Sequence, residues 1–226
     1  MAKQNKEEQV LIETLNKAEN YLDSNKKNLI YGFLSIAAII AVFVYLKVEM
    51  LPARERKAQE DIRIAQFYFE KDSFDMALNG SGKTKGFLKV ADGGFEYSFT
   101  KAKNLSNFYS GVCYLQIGKF DKAIEYLERF STDESMLKAQ TYSVLGDAYA
   151  EKKDMEKAVS NYKKAAAATK NKILSPMYKL KAGMACEYVK DNESALKFYQ
   201  EIRNEYPTSE EGREIDKYIL RVGGEV

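Results

Sequence analysis

Residues 77 to 84 read "ALNGSGKT". Ala77, four intervening residues, then Gly82, Lys83 and Thr84 satisfy a common variant of the phosphate-loop pattern, in which backbone N–H groups cradle the phosphates of a nucleotide. That chemistry needs a buried strand to deliver the loop and a second strand ending in an acidic residue for magnesium. The preceding segment, "DIRIAQFYFEKDSFDM", has a helical period instead, and no strand with a terminal Asp follows. The pattern is therefore read as structural, and neither a nucleotide nor any other cofactor is expected.

Other chemistry is scarce. The 226 residues include no histidine, which removes the usual general base and the commonest metal ligand together. Cys113 and Cys186 have no paired spacing of the zinc or redox kind, and are read as thiols packed like small apolar residues. No catalytic or metal-binding residue is assigned, and the chain is not read as an enzyme. The net charge of +2, from 35 basic and 33 acidic residues, is spread evenly and leaves no electrostatic footprint for nucleic acid. A mean hydropathy of −0.46 marks the bulk of the chain as water-soluble.

One segment breaks that average. Residues 28–46, "NLIYGFLSIAAIIAVFVYL", carry no charge, and at ~1.5 Å per residue they extend about 28 Å, close to the hydrocarbon thickness of a bilayer. Tyr31 and Tyr45 stand near its ends, where amphipathic rings favour the headgroup level. A cleaved signal peptide is the rival reading, but the following "KVEMLPARERK" offers no small-x-small cleavage site. An uncleaved single-span anchor is expected. Lys17, Lys26 and Lys27 on one side balance Lys47, Arg54, Arg56 and Lys57 on the other, so the charge rule leaves orientation open. In residues 1–27, Leu11, Leu15, Ala18 and Leu22 fall at helical spacing; they make either an amphipathic helix or a plain helical lead-in.

The remaining residues, 47–226, repeat. The clearest unit is 139–172, "AQTYSVLGDAYAEKKDMEKAVSNYKKAAAATKNK", with Tyr142, Leu145, Gly146 and Tyr149 followed by Ala158, Tyr162 and Ala165. It resembles the tetratricopeptide (TPR) pattern, in which Gly and Ala sit where two antiparallel helices come closest and aromatic residues fill the space between hairpins. The skeleton recurs as Gly111, Tyr114, Ala123 and Leu127, and as Gly183, Cys186, Ala195, Tyr199 and Pro207, with 12 residues from Gly to Ala each time. Asn107, Ser110, Lys179 and Ala182 depart from it. Ala65, Tyr68 and Ala77 form a degenerate first copy, also with 12 between the alanines. This makes Ala77, the first residue of the phosphate-loop pattern, a helix-packing alanine.

The expected fold is all-α: one N-terminal transmembrane helix, then a TPR α-solenoid with a degenerate first repeat and a C-terminal capping helix. Repeats are placed at about 58–82, 104–137, 139–172 and 176–209, with an irregular glycine-rich insertion at 80–103 and the cap at 209–222. Cys113 and Cys186 then lie two repeats apart, beyond the ~7 Å Cα limit for a disulfide, so none is expected. The concave surface of first helices is the expected protein-binding site. By register it takes in Phe108, Val112 and Leu115, then Ser143, Asp147 and Ala150, then Leu180, Met184, Glu187 and Tyr188, unless these pack against neighbouring hairpins or the insertion.

A short helical N-terminus, one span and a TPR domain together look like the YfgM family of inner-membrane proteins. "AQFYFEKDSFDMALNG", "GFLKVAD" and "NLSNFYSGVCYLQIGKFDKAIEYLERF" look like single-span TPR proteins of the Bacteroidota assigned to it. The resemblance implies a cytoplasmic N-terminus and repeats in the periplasm. It also implies no catalysis and protein partners that include Sec translocon subunits, a periplasmic chaperone and exported chains. The implied function is a scaffold that assists protein export or membrane insertion. The alternative is a Sec-independent peptide-binding or envelope-assembly adaptor, serving for example an outer-membrane secretion or Tol-Pal-like system.

Overall fold

The computed structural model describes residues 2–225, without the side chains of residues 2–12, 18 and 23. It divides into two compact units, residues 1–53 and 54–226. The first holds α1 (Ala2–Tyr45) and a π-helical turn, Leu46–Met50. In the helical run that starts at Ser24, an 18-residue window reaches a mean hydropathy of 2.5 with none of it buried. Among the described residues this is the one helix long and apolar enough to cross a membrane. Of the four residues at helical spacing ahead of it, Leu15 and Leu22 are exposed, and the side chains of Leu11 and Ala18 lie outside the described residues.

The second unit is built of helices joined by turns and loops, with no strand among its described residues. It contains α2 (Leu51–Glu70) from Arg54 onward, then α3 (Phe74–Asn79), α4 (Phe87–Ala91), α5 (Lys101–Gln116), α6 (Phe120–Arg129), α7 (Ser135–Glu151), α8 (Met155–Ala168), α9 (Leu174–Tyr188), α10 (Asn192–Glu205) and α11 (Glu210–Arg221). Helices α5 and α6, α7 and α8, and α9 and α10 form successive hairpins, and α11 closes the end against α9 and α10. Cys113 belongs to the apolar cluster of α2 to α5, Cys186 to that of α9 to α11. Burial pushes the Cys113 thiol up to about 12 and raises that of Cys186, which removes the reactive thiolate at neutral pH.

The small residues show why the chain folds this way. Ala123, Ala158 and Ala195 are fully buried. A Cβ added to Gly111 would meet Leu127 at 2.5 Å, one on Gly146 would meet the Tyr162 ring at 2.5 Å, and one on Gly183 would meet the Tyr199 ring at 2.4 Å. In each case the partner lies sixteen residues on, so the same face-to-face approach of first and second helix recurs three times. Ala65 and Ala77 are also fully buried. In the first hairpin, however, the residue sixteen after Ala65 is Ser81, which falls beyond the end of α3.

All four hairpins turn alike. Ser73, Lys119, Asp154 and Asp191 donate their N–H to the carbonyls of Tyr68, Tyr114, Tyr149 and Cys186 at 2.8 to 2.9 Å. The residues one earlier bond Phe69, Leu115, Ala150 and Glu187. This is the Schellman pair that closes a helix on a left-handed residue. Only Gly118 is a glycine there; Asp72, Lys153 and Lys190 hold φ of 55, 64 and 64°. Lys153→Gly is therefore expected to stabilise the array by roughly 0.5–1 kcal/mol, read as a higher denaturant midpoint at unchanged slope. A lower midpoint would show that the Lys153 side chain contributes more than its backbone strain costs.

The array curves. First helices α5 and α7, and α7 and α9, touch each other, whereas second helices α6, α8 and α10 do not. The first helices thus line the inner face. Between the second helices lie open grooves of about 590 Å³, walled by residues such as Leu127, Tyr142 and Asn161, and about 750 Å³, walled by Ala166, Lys179 and Phe198.

Candidate functional site

Two features could carry function: the loop that follows α3, and the inner face of first helices. The loop leaves a helix, not a strand, and ends in the five-residue α4. Two of its N–H groups are used within the loop: Ser81 donates to Thr84 Oγ1 at 2.8 Å, and the Thr84 N–H and hydroxyl donate to the Ser81 carbonyl at 2.9 and 2.7 Å. Gly80, at φ 80°, passes so close to Thr84 that a Cβ would lie 2.1 Å from its carbonyl oxygen. The loop is a tight self-closed turn that lacks the strand-fed cradle of a phosphate site. Lys83 is exposed.

The neighbouring lysine is structural. Lys85 Nζ lies 2.8 Å from both oxygens of Asp61 on α2, and the Tyr97 hydroxyl donates to Asp61 Oδ2 at 2.7 Å. Burial pushes the Asp61 carboxyl up, but hydrogen bonds from Lys85 and Tyr97, with the Lys85 charge, outweigh it and hold the carboxyl below its ordinary value. This tie pins the 80–103 insertion to α2. Its members are 24 and 36 residues apart from Asp61, so no local spacing announces it. Asp61→Asn should cost about 1–3 kcal/mol at neutral pH by stripping the charged acceptor from two donors. A folded pKa that is lowered means stability present above the ordinary carboxylate range and lost as pH falls through the folded value. The gap between wild type and Asp61→Asn in urea melts should therefore close below about pH 4; a gap constant with pH would refute the assignment.

On the inner face the side chains expected at the groove divide. Phe108 is buried, capped by Phe130 at 5.3 Å between ring centroids. Ser143 is buried too, and Lys181 Nζ reaches its hydroxyl at 3.3 Å while pairing with both oxygens of Asp147 at 2.8 Å. Asp147 also accepts from the Tyr162 hydroxyl at 2.7 Å, a bond that, after burial and the Asp147 charge, helps raise the Tyr162 phenol. Val112, Leu115, Ala150 and Leu180 are half-buried, packed along the edges of the clusters. Glu187 accepts from Tyr199 and from Arg221 of α11, each at 2.8 Å; the Arg221 hydrogen bond leads in lowering its carboxyl, against burial. Met184 and Tyr188 are the exposed members, Tyr188 at 73%.

A wider opening than the two grooves between the second helices lies one step toward the N-terminal side of the array. A groove of about 1110 Å³ runs between α2, α5 and the start of α7, floored by Ile62, Leu105 and Leu137 and walled by Arg56, Glu60 and Arg63. Counting forward from the clearest repeat puts weight on α5 to α9 and misses it. The signal was present in the Ala65 and Ala77 pair, which makes α2 a first helix whose inner face is open.

Residues 139–172 match one tetratricopeptide-repeat family and residues 106–133 another. These are α7 with α8, and most of α5 with α6. The chain thus carries tetratricopeptide repeats, a protein-interaction architecture. No curated protein matches the chain.

Proposed function

We propose that this chain is a membrane-anchored TPR scaffold that binds proteins at the periplasmic side of the Sec translocon and assists export or membrane insertion. The observation that carries the reading is one apolar helix of membrane-spanning length ahead of a TPR array whose inner face is open between α2, α5 and α7. In this reading residues 1–27 are cytoplasmic, 28–46 span the inner membrane, and 47–226 are periplasmic. Translocon subunits, a periplasmic chaperone and exported chains are the partners. An open face with apolar floor and charged walls suits an extended or helical segment of another protein; Leu105, Leu137, Met184 and Tyr188 are the residues proposed to meet it, with Val112, Leu115 and Leu180 behind them. The resemblance to the YfgM family supports the translocon over other envelope partners.

The test is purification of the tagged full-length protein in mild detergent followed by mass spectrometry. Sec subunits should be recovered, and recovery should fall with Leu105→Glu or Met184→Glu. Their consistent absence would remove the Sec reading in favour of an envelope-assembly adaptor. Protease protection in spheroplasts checks the orientation. Lys83→Ala should leave recovery unchanged and show no nucleotide-dependent change in melting; a nucleotide shift that the variant abolishes would overturn the structural reading of "ALNGSGKT".

A further inference from the structure

We infer that the segment 94–101 is a second membrane contact, which lays Phe95 and Phe99 into the headgroup layer of the bilayer that holds the span; the inference rests on the reading of residues 28–46 as that span. The starting observation is Phe99. Its side chain is 89% exposed, and its backbone sits at φ 63°, a conformation that costs a non-glycine residue about 1–2 kcal/mol. Phe95, four residues earlier, is 73% exposed. Between them Tyr97 is fully buried and tied to Asp61. The segment is thus fixed by its middle while both flanking rings stand outside, in a domain whose other aromatic residues mostly pack inward.

The place of the segment says what covers it. Phe95 is stacked on the Arg54 guanidinium, 3.7 Å from the ring centroid. The Glu55 carboxylate accepts from the N–H groups of Lys101 and Ala102 at 2.6 and 3.1 Å, and Lys57 pairs with Glu96 at 2.8 Å. The two rings therefore sit at the very start of the domain. Arg54 follows Leu46, the last apolar residue of the span, by eight positions, which even fully extended chain bridges with no more than about 28 Å. A surface on so short a tether is confined to the neighbourhood of the bilayer, whichever side it occupies.

The chemistry around the rings fits a lipid interface. Glu55 is occupied by the α5 N-terminus and Glu96 by Lys57, which leaves Lys101, two residues beyond Phe99, as an exposed cation without an ion-pair partner among the described residues. Exposed aromatic rings with a stacked arginine, Arg54, and an unpaired lysine, Lys101, beside them are what the headgroup layer of an anionic membrane accepts. The edge continues in one direction: Asn104 bonds Ser131 at 2.6 and 3.1 Å, and Asn171 contacts Met136 at 3.7 Å, so the turns before α5, α7 and α9 share the edge at which α2 begins. Met136 and Ile173 are exposed along it. The Tyr188 end of α9 lies on the opposite edge, with the Schellman turns.

The chain contains no tryptophan, so single substitutions give unique reporters. Full-length Phe43→Trp, Phe99→Trp and Tyr188→Trp proteins would be reconstituted in vesicles of phosphatidylcholine and phosphatidylglycerol carrying spin-labelled lipid, either shallow or mid-chain. Phe43→Trp should be quenched by the mid-chain label, and Phe99→Trp by the shallow label at least about twofold more than Tyr188→Trp, with a blue-shifted emission. Quenching of Phe43→Trp with Phe99→Trp no different from Tyr188→Trp would overturn the contact while leaving the span in place. A blue-shifted but unquenched Phe99→Trp would mean that protein covers the ring, and also overturns it. An unquenched Phe43→Trp would remove the span and the contact with it. Matching circular dichroism of the three proteins controls for folding.

Discussion

Tyr199→Ala is expected to lower the stability of the C-terminal end of the array by about 3–5 kcal/mol, the cost of deleting a buried aromatic side chain. Tyr199 is fully buried; its ring covers Gly183 and lies 5.4 Å from that of Tyr218. Its hydroxyl donates to Glu187, which also receives Arg221. One side chain thus joins α9, α10 and α11. The glycine opposite has no Cβ with which to fill the void, so the site cannot collapse without moving a helix. Because each repeat rests only on its neighbours, the damage should stay local: hydrogen exchange should rise first in α9 to α11 while α5 to α8 keep their protection. Tyr199→Phe keeps the ring and loses one charge-assisted bond, and should cost about 1.5–3 kcal/mol. A Tyr199→Ala protein that melts with wild type would mean that the Gly183 approach is not what holds the last hairpin.

The same residues show what a reading of sequence reaches and where it stops. Gly111, Gly146 and Gly183, with Ala123, Ala158 and Ala195, were legible because a close helix crossing admits only small side chains and the turn between the helices has fixed length. That geometry writes itself as a constant interval. The inner face was less legible, because register says which way a residue points and not what reaches over it. Phe108 and Ser143 have the right register, yet Phe130 from the α6 to α7 turn caps the first, and Lys181 from α9 reaches across to the second. Met184 and Tyr188, with nothing laid over them, remain exposed. The Asp61, Lys85 and Tyr97 tie has no periodicity at all. Its partners meet only because the insertion folds back, which no spacing rule encodes.

The insertion yields the second large effect: Phe87→Ala should cost about 3–5 kcal/mol, whereas Phe99→Ala should stay within about 0.5 kcal/mol of wild type in a soluble domain lacking the membrane. Helix α3 is six residues long and ends before the position at which a second helix would present its ring to α2. Without a substitute, the α2 and α5 faces would stand open to water. Phe87 supplies that substitute. It is fully buried, stacked on Tyr109 at 4.9 Å and 11°, with Phe69 edge-on at 6.3 Å, and Val90 and Tyr97 fill in beside it. The glycine before it is required for the approach, since a Cβ on Gly86 would lie 2.1 Å from the Leu78 carbonyl oxygen. The glycine-rich stretch therefore reverses the chain so that a short helix can replace the missing half of a hairpin. Denaturant melts of the two variants separate the alternatives. If Phe87→Ala lost less than about 1 kcal/mol, the insertion would be an appendage on a core complete without it. The expected loss would make it the first repeat's second helix in function, with Phe95 and Phe99 as the part left over to face outward.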